Sequence, residues 1–180
     1  MKSLYVIMGV PGSGKDTQAE LLESNHGFKV IRIGHLIREL AKHNDSLNRI
    51  QKHGDLADEK LVNNLMSKAL DDQPQESRIL SDGFPRSLSQ AKDLEEMCKT
   101  KNIDLVKVIY LHISFEESMK RLKLRARIDD TDETIKNRLD IFSQKTVPVI
   151  DYFKSKGILC EVDGSGEIDE IQTRILGVLK

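Results

Sequence analysis

The run "SLYVIM" leading into "GVPGSGKDTQ" constrains this chain more than any other stretch of it. Apolar, β-forming residues end without a linker in a loop carrying Gly9, Gly12 and Gly14, followed by Lys15 and a segment of helical period. The spacing G-x-x-x-x-G-K lets backbone N–H groups converge on phosphate oxygens, aims the positive end of a helix at them and adds a lysine charge. A bare strand-to-helix turn needs neither the lysine nor the spacing, so the stretch reads as a phosphate cradle. One letter departs from the pattern. Asp16 stands where the general motif has a metal-binding serine or threonine. An inward carboxylate would repel bound phosphate by about 1 to 4 kcal/mol at 4 Å, depending on the local dielectric. Asp16 is therefore expected to face solvent, where it favours the helix N-terminus, leaving Thr17 as the hydroxyl for the phosphates.

Elsewhere, short runs rich in Val and Ile alternate with longer segments of helical period, the pattern of an α/β protein with a parallel sheet. Strands are expected over 4–9, 29–33, 77–82, 107–113 and 158–162. Helices are expected over 15–25, 35–43, 58–70, 88–99, 115–124 and 132–153, with Pro148 bending or breaking the last. The 180 residues carry no repeat or linker and suit a single domain, 1–180. A net charge of -1 argues against general binding to nucleic acid or membrane. The N-terminal apolar run is too short for a bilayer span and lacks a cleavable signal's layout, so a cytoplasmic protein is expected. Cys98 and Cys160 are isolated, with no histidine at metal spacing, and read as reduced thiols.

Ligands of such sheets bind beyond the carboxyl ends of the strands. In "ILSDGFPR" an apolar strand ends there in Asp82, an acid suited to orienting metal-bound water at phosphates. Gly83 allows close backbone approach, and Pro85 stiffens the turn that presents Arg86. Alone, the stretch could be an ordinary acidic turn with a solvated arginine. The tract "RLKLRARIDDTDETIKNRL" is similarly two-sided. Arg121 and Lys123 could lie on a solvated helix face, but the full arginine spacing suits a reaction that spreads negative charge over phosphates.

Together "GVPGSGKDTQ", "IGHLIREL", "SDGFPRSLSQ" and "RARIDDTDETIKNRL" resemble, in order and spacing, the adenylate kinase family of nucleoside monophosphate kinases. The resemblance runs from Met1 through "VDGSGEIDEI", and "DGFPR" is its most specific part. It implies a P-loop three-layer α/β/α fold on a five-stranded parallel sheet, and transfer of phosphoryl from MgATP to AMP giving two ADP. Mg2+ would arrive with ATP, the partners would be the nucleotides themselves, and the protein would be a monomer. By resemblance, Gly12, Ser13, Gly14, Lys15, Asp16, Thr17, Arg121, Arg125 and Gly166 bind ATP, and Asp82 holds the metal through water. Ile33, Arg38, Asp55, Leu56, Ala57, Gly83, Phe84, Pro85, Arg86, Gln90, Arg127 and Arg138 bind AMP. Lys15, Arg86, Arg125, Arg127 and Arg138 carry the transfer. Arg38 and Arg86 would grip the acceptor phosphate, and Gln90 would read its base through a two-point amide contact, which points to AMP. Asp129 and Asp130 would fix neighbouring arginines or the lid hinge. Residues 33–63 and 125–132 would be mobile clamps, the second a short lid without metal-binding cysteines. A general base is not required, because the attacking phosphate is already an anion.

Three positions depart from the family pattern. Asp16 replaces a glycine of G-x-P-G-x-G-K-G-T-Q, while Ile33 and His35 replace the hydroxyl residue and the aspartate of Ser/Thr-Gly-Asp-x-x-x-Arg. Ile33 removes a polar group near the acceptor base, which weakens discrimination resting on polar pairing. His35 reads as a helix N-terminal residue with a structural hydrogen bond. Two other functions stay open on these grounds: a kinase of the same fold for UMP, CMP or GMP, and a nucleotide-binding protein with degenerate catalysis. A solvent-facing Asp16 would also mean that Asp16→Gly leaves MgATP affinity unchanged or raises it.

Overall fold

The computed structural model describes residues 1–125 and 131–179. Its spine is β1 (Lys2–Gly9), in which every residue but Ser3 is buried. Buried on both faces, this strand shows no polar alternation, yet its side chains still alternate between two cores. Leu4, Val6 and Met8 join one that contains Met66, Leu70, Phe84, Leu94 and Phe153. Tyr5 and Ile7 join another with Leu22, Phe28, Ile171 and Ile175. The sheet is parallel throughout, in the order β2 (Lys29–Arg32), β3 (Arg78–Asp82), β1, β4 (Ile103–His112), β5 (Leu159–Asp163).

Helices lie on both faces, giving three α/β/α layers. The helices α1 (Lys15–His26) and α9 (Ile168–Val178) cover the Tyr5 face; α4 (Glu59–Asp71), α5 (Leu88–Thr100) and α8 (Val147–Ser155) cover the Leu4 face. The helices α2 (Ile33–Ala41) and α3 (Asp45–His53) join the same core as Leu4 through Ile33, Ala41 and Leu47. A small third cluster of Leu122, Ile135 and Leu139 joins α6 (Phe115–Arg125) to α7 (Asp132–Ile141). No helix among the described residues is long and apolar enough to cross a membrane.

The chain runs from β1 out to β2, returns to β3 and then crosses β1 to β4. That reversal opens a crevice at the carboxyl edge of β1. Register places Ile7 and Arg32 each opposite Asp82, and Gly9 opposite Leu111, so the glycine loop and the "DGFPR" turn leave the sheet side by side.

Several boundaries differ from expectation. Ile33 opens α2 instead of ending β2, and β4 begins four residues early, at Ile103. Neither α3 nor α9 was expected, although both carry readable caps. The Asn44 side chain accepts from Leu47 N and Gly54 takes the left-handed C-cap; Glu167 and Glu170 form a reciprocal capping box. The expected interruption at Pro148 is present, as a change of helical geometry just ahead of it. Phe142–Thr146 form a π-helical turn, and Pro148 follows in the first turn of α8, where a missing N–H is tolerated. The widened turn lies where a regular helix would press the proline ring on the carbonyl of Gln144.

Phe153 is fully buried where α8 meets the sheet. Phe153→Ala is expected to lower the unfolding free energy by about 3 to 5 kcal/mol, read from denaturant melts.

Candidate active site

The glycine loop owes its shape to close contacts and left-handed backbone. Gly12 and Gly14 have φ of 85° and 92°, which side-chain-bearing residues rarely adopt. A Cβ at Gly9 would lie 2.7 Å from the Leu111 carbonyl, so the loop rests directly on β4. From the other side α6 holds it: Ser118 Oγ donates to the Pro11 carbonyl (2.6 Å), and Arg121 Nη1 to that of Ser13 (3.4 Å). Arg121 Nε is itself anchored by Glu117 at 2.7 Å. Ser13 Oγ is buried and has no hydrogen-bond partner among the described residues.

Lys15 and Asp16 open from this loop into a cavity bounded by the ends of β1, β2 and β3 and by α2, α3 and α7. Its polar end gathers Arg38, Arg86 and Arg138. Two glycines make room for them. A Cβ at Gly34 would stand 3.5 Å from Arg38 Nη1 and 3.9 Å from Arg86 Nη2, and one at Gly83 3.1 Å from Arg86 Nη2. Arg86 is held at three points: its Nε donates to the Gly83 carbonyl (3.0 Å), its N–H to Gln90 Oε1 (2.8 Å), and its carbonyl accepts from Thr146 Oγ1 (3.0 Å). The turn itself is pinned by Ser81 Oγ donating to the Phe84 carbonyl (2.8 Å), ahead of a cis Phe84–Pro85 bond. Gln90 is buried, and its Oε1 keeps one lone pair beyond the Arg86 bond. Ile33, Ile37, Leu56, Ala57, Val62 and Phe142 form the apolar wall.

Asp82 is 5% exposed at the edge of this cavity, with no hydrogen bond or ion pair among the described residues. Burial pushes its carboxyl above the ordinary range; Lys15, Arg86 and Arg32 oppose that and Asp16 adds to it. Asp16 is exposed, as expected, with about half its side-chain surface open, and it also borders the cavity. Its Oδ1 lies 3.6 Å from Lys15 Nζ.

A second junction involves residues not singled out from the sequence. Thr134 Oγ1 donates to the Lys52 carbonyl (2.9 Å), and Asn137 Nδ2 reaches the His53 carbonyl (2.7 Å) and Asp55 Oδ1 (2.8 Å). Gly54 permits the approach, since its Cβ would lie 3.0 Å from both Thr134 and Arg138. Thr134, Asn137 and Arg138 share one face of α7 through i, i+3, i+4 spacing, which was the available signal. The α3 segment is thereby seated on α7, with Asp55, Leu56 and Ala57 turned along the cavity.

Lys15, Asp16, Asp82, Gly83, Phe84, Pro85 and the acceptor-side residues thus meet in one cavity. Gly12, Ser13, Gly14 and Arg121 gather beside it on the loop. Thr17 is exposed on the first turn of α1. Gly166 (φ 100°) lies in the loop after β5, outside the cavity. His35 is exposed on the cavity rim and its side chain makes no hydrogen bond among the described residues, contrary to the structural bond expected of it. Its helix begins two residues earlier, so it is not the capping residue. Arg125 closes α6; Arg127, Asp129 and Asp130 lie outside the described residues, as does most of the 125–132 lid. Arg32, paired with Glu23 at 2.8 Å, also reaches the cavity and was not foreseen.

The family model described as adenylate kinase matches residues 7–158, which takes in the glycine loop, the cavity and α7. The chain belongs to the adenylate kinase family. It is 38% identical over 178 residues to an adenylate kinase of Mycolicibacterium paratuberculosis, covering 97% of each chain. It is 36% identical over 184 residues to one of Leptospira biflexa, with 98% of each covered, and 34% identical over 182 residues to one of Thermus thermophilus, with 97% of this chain and 95% of that one covered. Its activity is that of a nucleoside monophosphate kinase. Against this family, the Ile33 substitution is a buried one: the side chain is 1% exposed and belongs to the main core as well as to the cavity wall.

The buried acid carries a stability cost. Because the folded fold holds the Asp82 proton more tightly than the unfolded chain does, its contribution is greatest below the ordinary carboxylate range and is lost as pH rises through the folded value. Asp82→Asn is therefore expected to raise the melting temperature of the nucleotide-free protein, by more at pH 7 than at pH 4, while activity falls.

Proposed function

We propose that the chain catalyses reversible transfer of the γ-phosphoryl group of MgATP to AMP, giving two ADP. The observation that carries this is the single cavity joining Lys15 and Asp82 at the loop to Arg38, Arg86 and Arg138 opposite. An AMP phosphate oxygen gripped by Arg38 and Arg86 attacks the γ-phosphorus, and the bond from that phosphorus to the β,γ-bridging oxygen breaks. Charge spreads over the moving group, and fixed cations stabilise it without reorganising. Lys15 serves the donor phosphates, Arg138 the reacting ones, with Arg125 and Arg127 joining from the lid.

Mg2+ enters as part of the substrate MgATP. The residues present suit it: Asp82 is a buried carboxyl at the cavity edge whose side chain accepts no hydrogen bond among the described residues, a group that a nearby divalent cation would favour in its ionised form. Gly12, Ser13, Gly14, Thr17, Arg121 and Gly166 complete the donor side. The acceptor base lies along Ile33, Asp55, Leu56, Ala57 and Gln90. Movement of residues 33–63 and 125–132 closes the cavity against water, which would otherwise take the phosphoryl group. A monomer in the cytoplasm fits such a reaction between freely diffusing nucleotides.

Diphosphate formation from MgATP with AMP, UMP, CMP, GMP and dAMP offered singly tests the acceptor. AMP should be preferred strongly. Preference for another base would trace to Ile33, whose buried apolar side chain stands in the cavity wall, and no turnover in protein that still binds ATP would favour a binding role. Arg86→Ala should lower turnover about 100-fold or more while ATP binding stays near normal in a direct titration; a near-normal rate would remove Arg86 from the acceptor clamp.

A further inference from the structure

We propose that Asp16 contacts the divalent cation carried on the ATP phosphates, and that it thereby makes this chain select metal-bound over metal-free ATP. The inference rests on the MgATP-dependent reading above and adds a role for a residue that the family pattern leaves as glycine.

The first ground is position. The residue directly after the lysine of a phosphate loop is where the general motif places a hydroxyl on Mg2+. Asp16 offers a carboxylate there, and hard anionic oxygens suit Mg2+ better than any other side-chain donor. The second ground is orientation. The Asp16 carboxylate stands 3.6 Å from Lys15 Nζ and lines the cavity, with about half its surface open to a ligand there.

The third ground is independent of Asp16. Asp82 is 95% buried by its 5% exposure, faces the same cavity, and has no hydrogen bond or ion pair among the described residues. A buried carboxylate left in that condition calls for a cation. Asp16 and Asp82 act on each other's charge, with Lys15 acting on both. Lys15, Arg32, Arg38, Arg86 and Arg138 line the same cavity; against these cations each carboxylate lowers the attraction for a bare triphosphate and adds a hard oxygen for one that brings a divalent cation. Among the described residues no group of three or more His, Cys, Asp or Glu side chains is gathered to hold a metal unaided. The phosphates must therefore complete the coordination, as is usual for Mg2+ held by one or two carboxylates.

An Asp16 that served only the helix terminus would give the opposite result, because its removal would shift both forms of ATP alike. Calorimetric titration of the full chain with ATP, in excess Mg2+ and in EDTA, separates the two. Wild type should bind the metal-bound form more tightly. In Asp16→Asn that preference should fall about tenfold, with MgATP weaker and metal-free ATP tighter, and Asp16→Glu should keep most of it. An unchanged preference in Asp16→Asn, or equal shifts of both affinities, overturns the proposal. Should Asp16→Asn not fold, Asp16→Gly, the family residue, is read in its place. ADP formation from MgATP and AMP by the same wild-type protein distinguishes the levels of failure. With turnover intact and preference unmoved, only the role of Asp16 falls; if neither form of ATP binds wild type, the proposed function falls with it.

Discussion

Parallel pairing of β1 with β3 sets Ile7 opposite Asp82, and both strands end within two residues of that pair. Because parallel strands expose their carboxyl ends on one edge, the glycine loop and the "DGFPR" turn leave the sheet together. Everything chemical in the molecule is built outward from that edge. A slip of one residue would exchange the two faces of β3 and move Asp82 out of line with Lys15. The buried Leu and Ile residues on both strands forbid it, so packing in the cores holds the register on which the site depends.

Placing charges at that edge opposes stability. Asp82 is a buried carboxyl whose ionised form burial disfavours, and Arg38 and Arg138 both act on the charge of Arg86. None of these arrangements helps the nucleotide-free fold. They are supported by bonds from the surrounding turns: Ser81 to Phe84, Arg86 to Gly83 and Gln90, Thr146 to Arg86. The π-helical turn before Pro148 belongs to the same scheme, since it carries the Thr146 hydroxyl that holds the Arg86 carbonyl.

How much of this was legible depended on the range of the interactions. Gly12, Gly14 and Lys15 announce a phosphate loop because a left-handed turn and a helix N-terminus are local properties. The α3 helix was missed despite its cap at Asn44 because its only apolar residues are Leu47 and Ile50; α9 was missed although Ile168, Ile171, Ile175 and Leu176 recur at helical spacing behind the Glu167 cap. His35 was misjudged for a different reason: its helix begins two residues earlier, so it is not the capping residue. Asp16 is exposed as expected, and what the sequence did not show is that it also borders the cavity.

The amino-acid sequence by itself determined the parallel α/β class, the phosphate loop and the kinase family, because these follow from periodicity and from motifs that work within a single turn. Only the tertiary structure decided that the three arginines from α2, the β3 turn and α7 converge, that Thr134 and Asn137 seat α3 on α7, and that Asp16 faces the same cavity as Asp82. Such meetings join residues far apart in the chain, and they are set by strand order, register and the packing of whole helices, none of which any short stretch encodes.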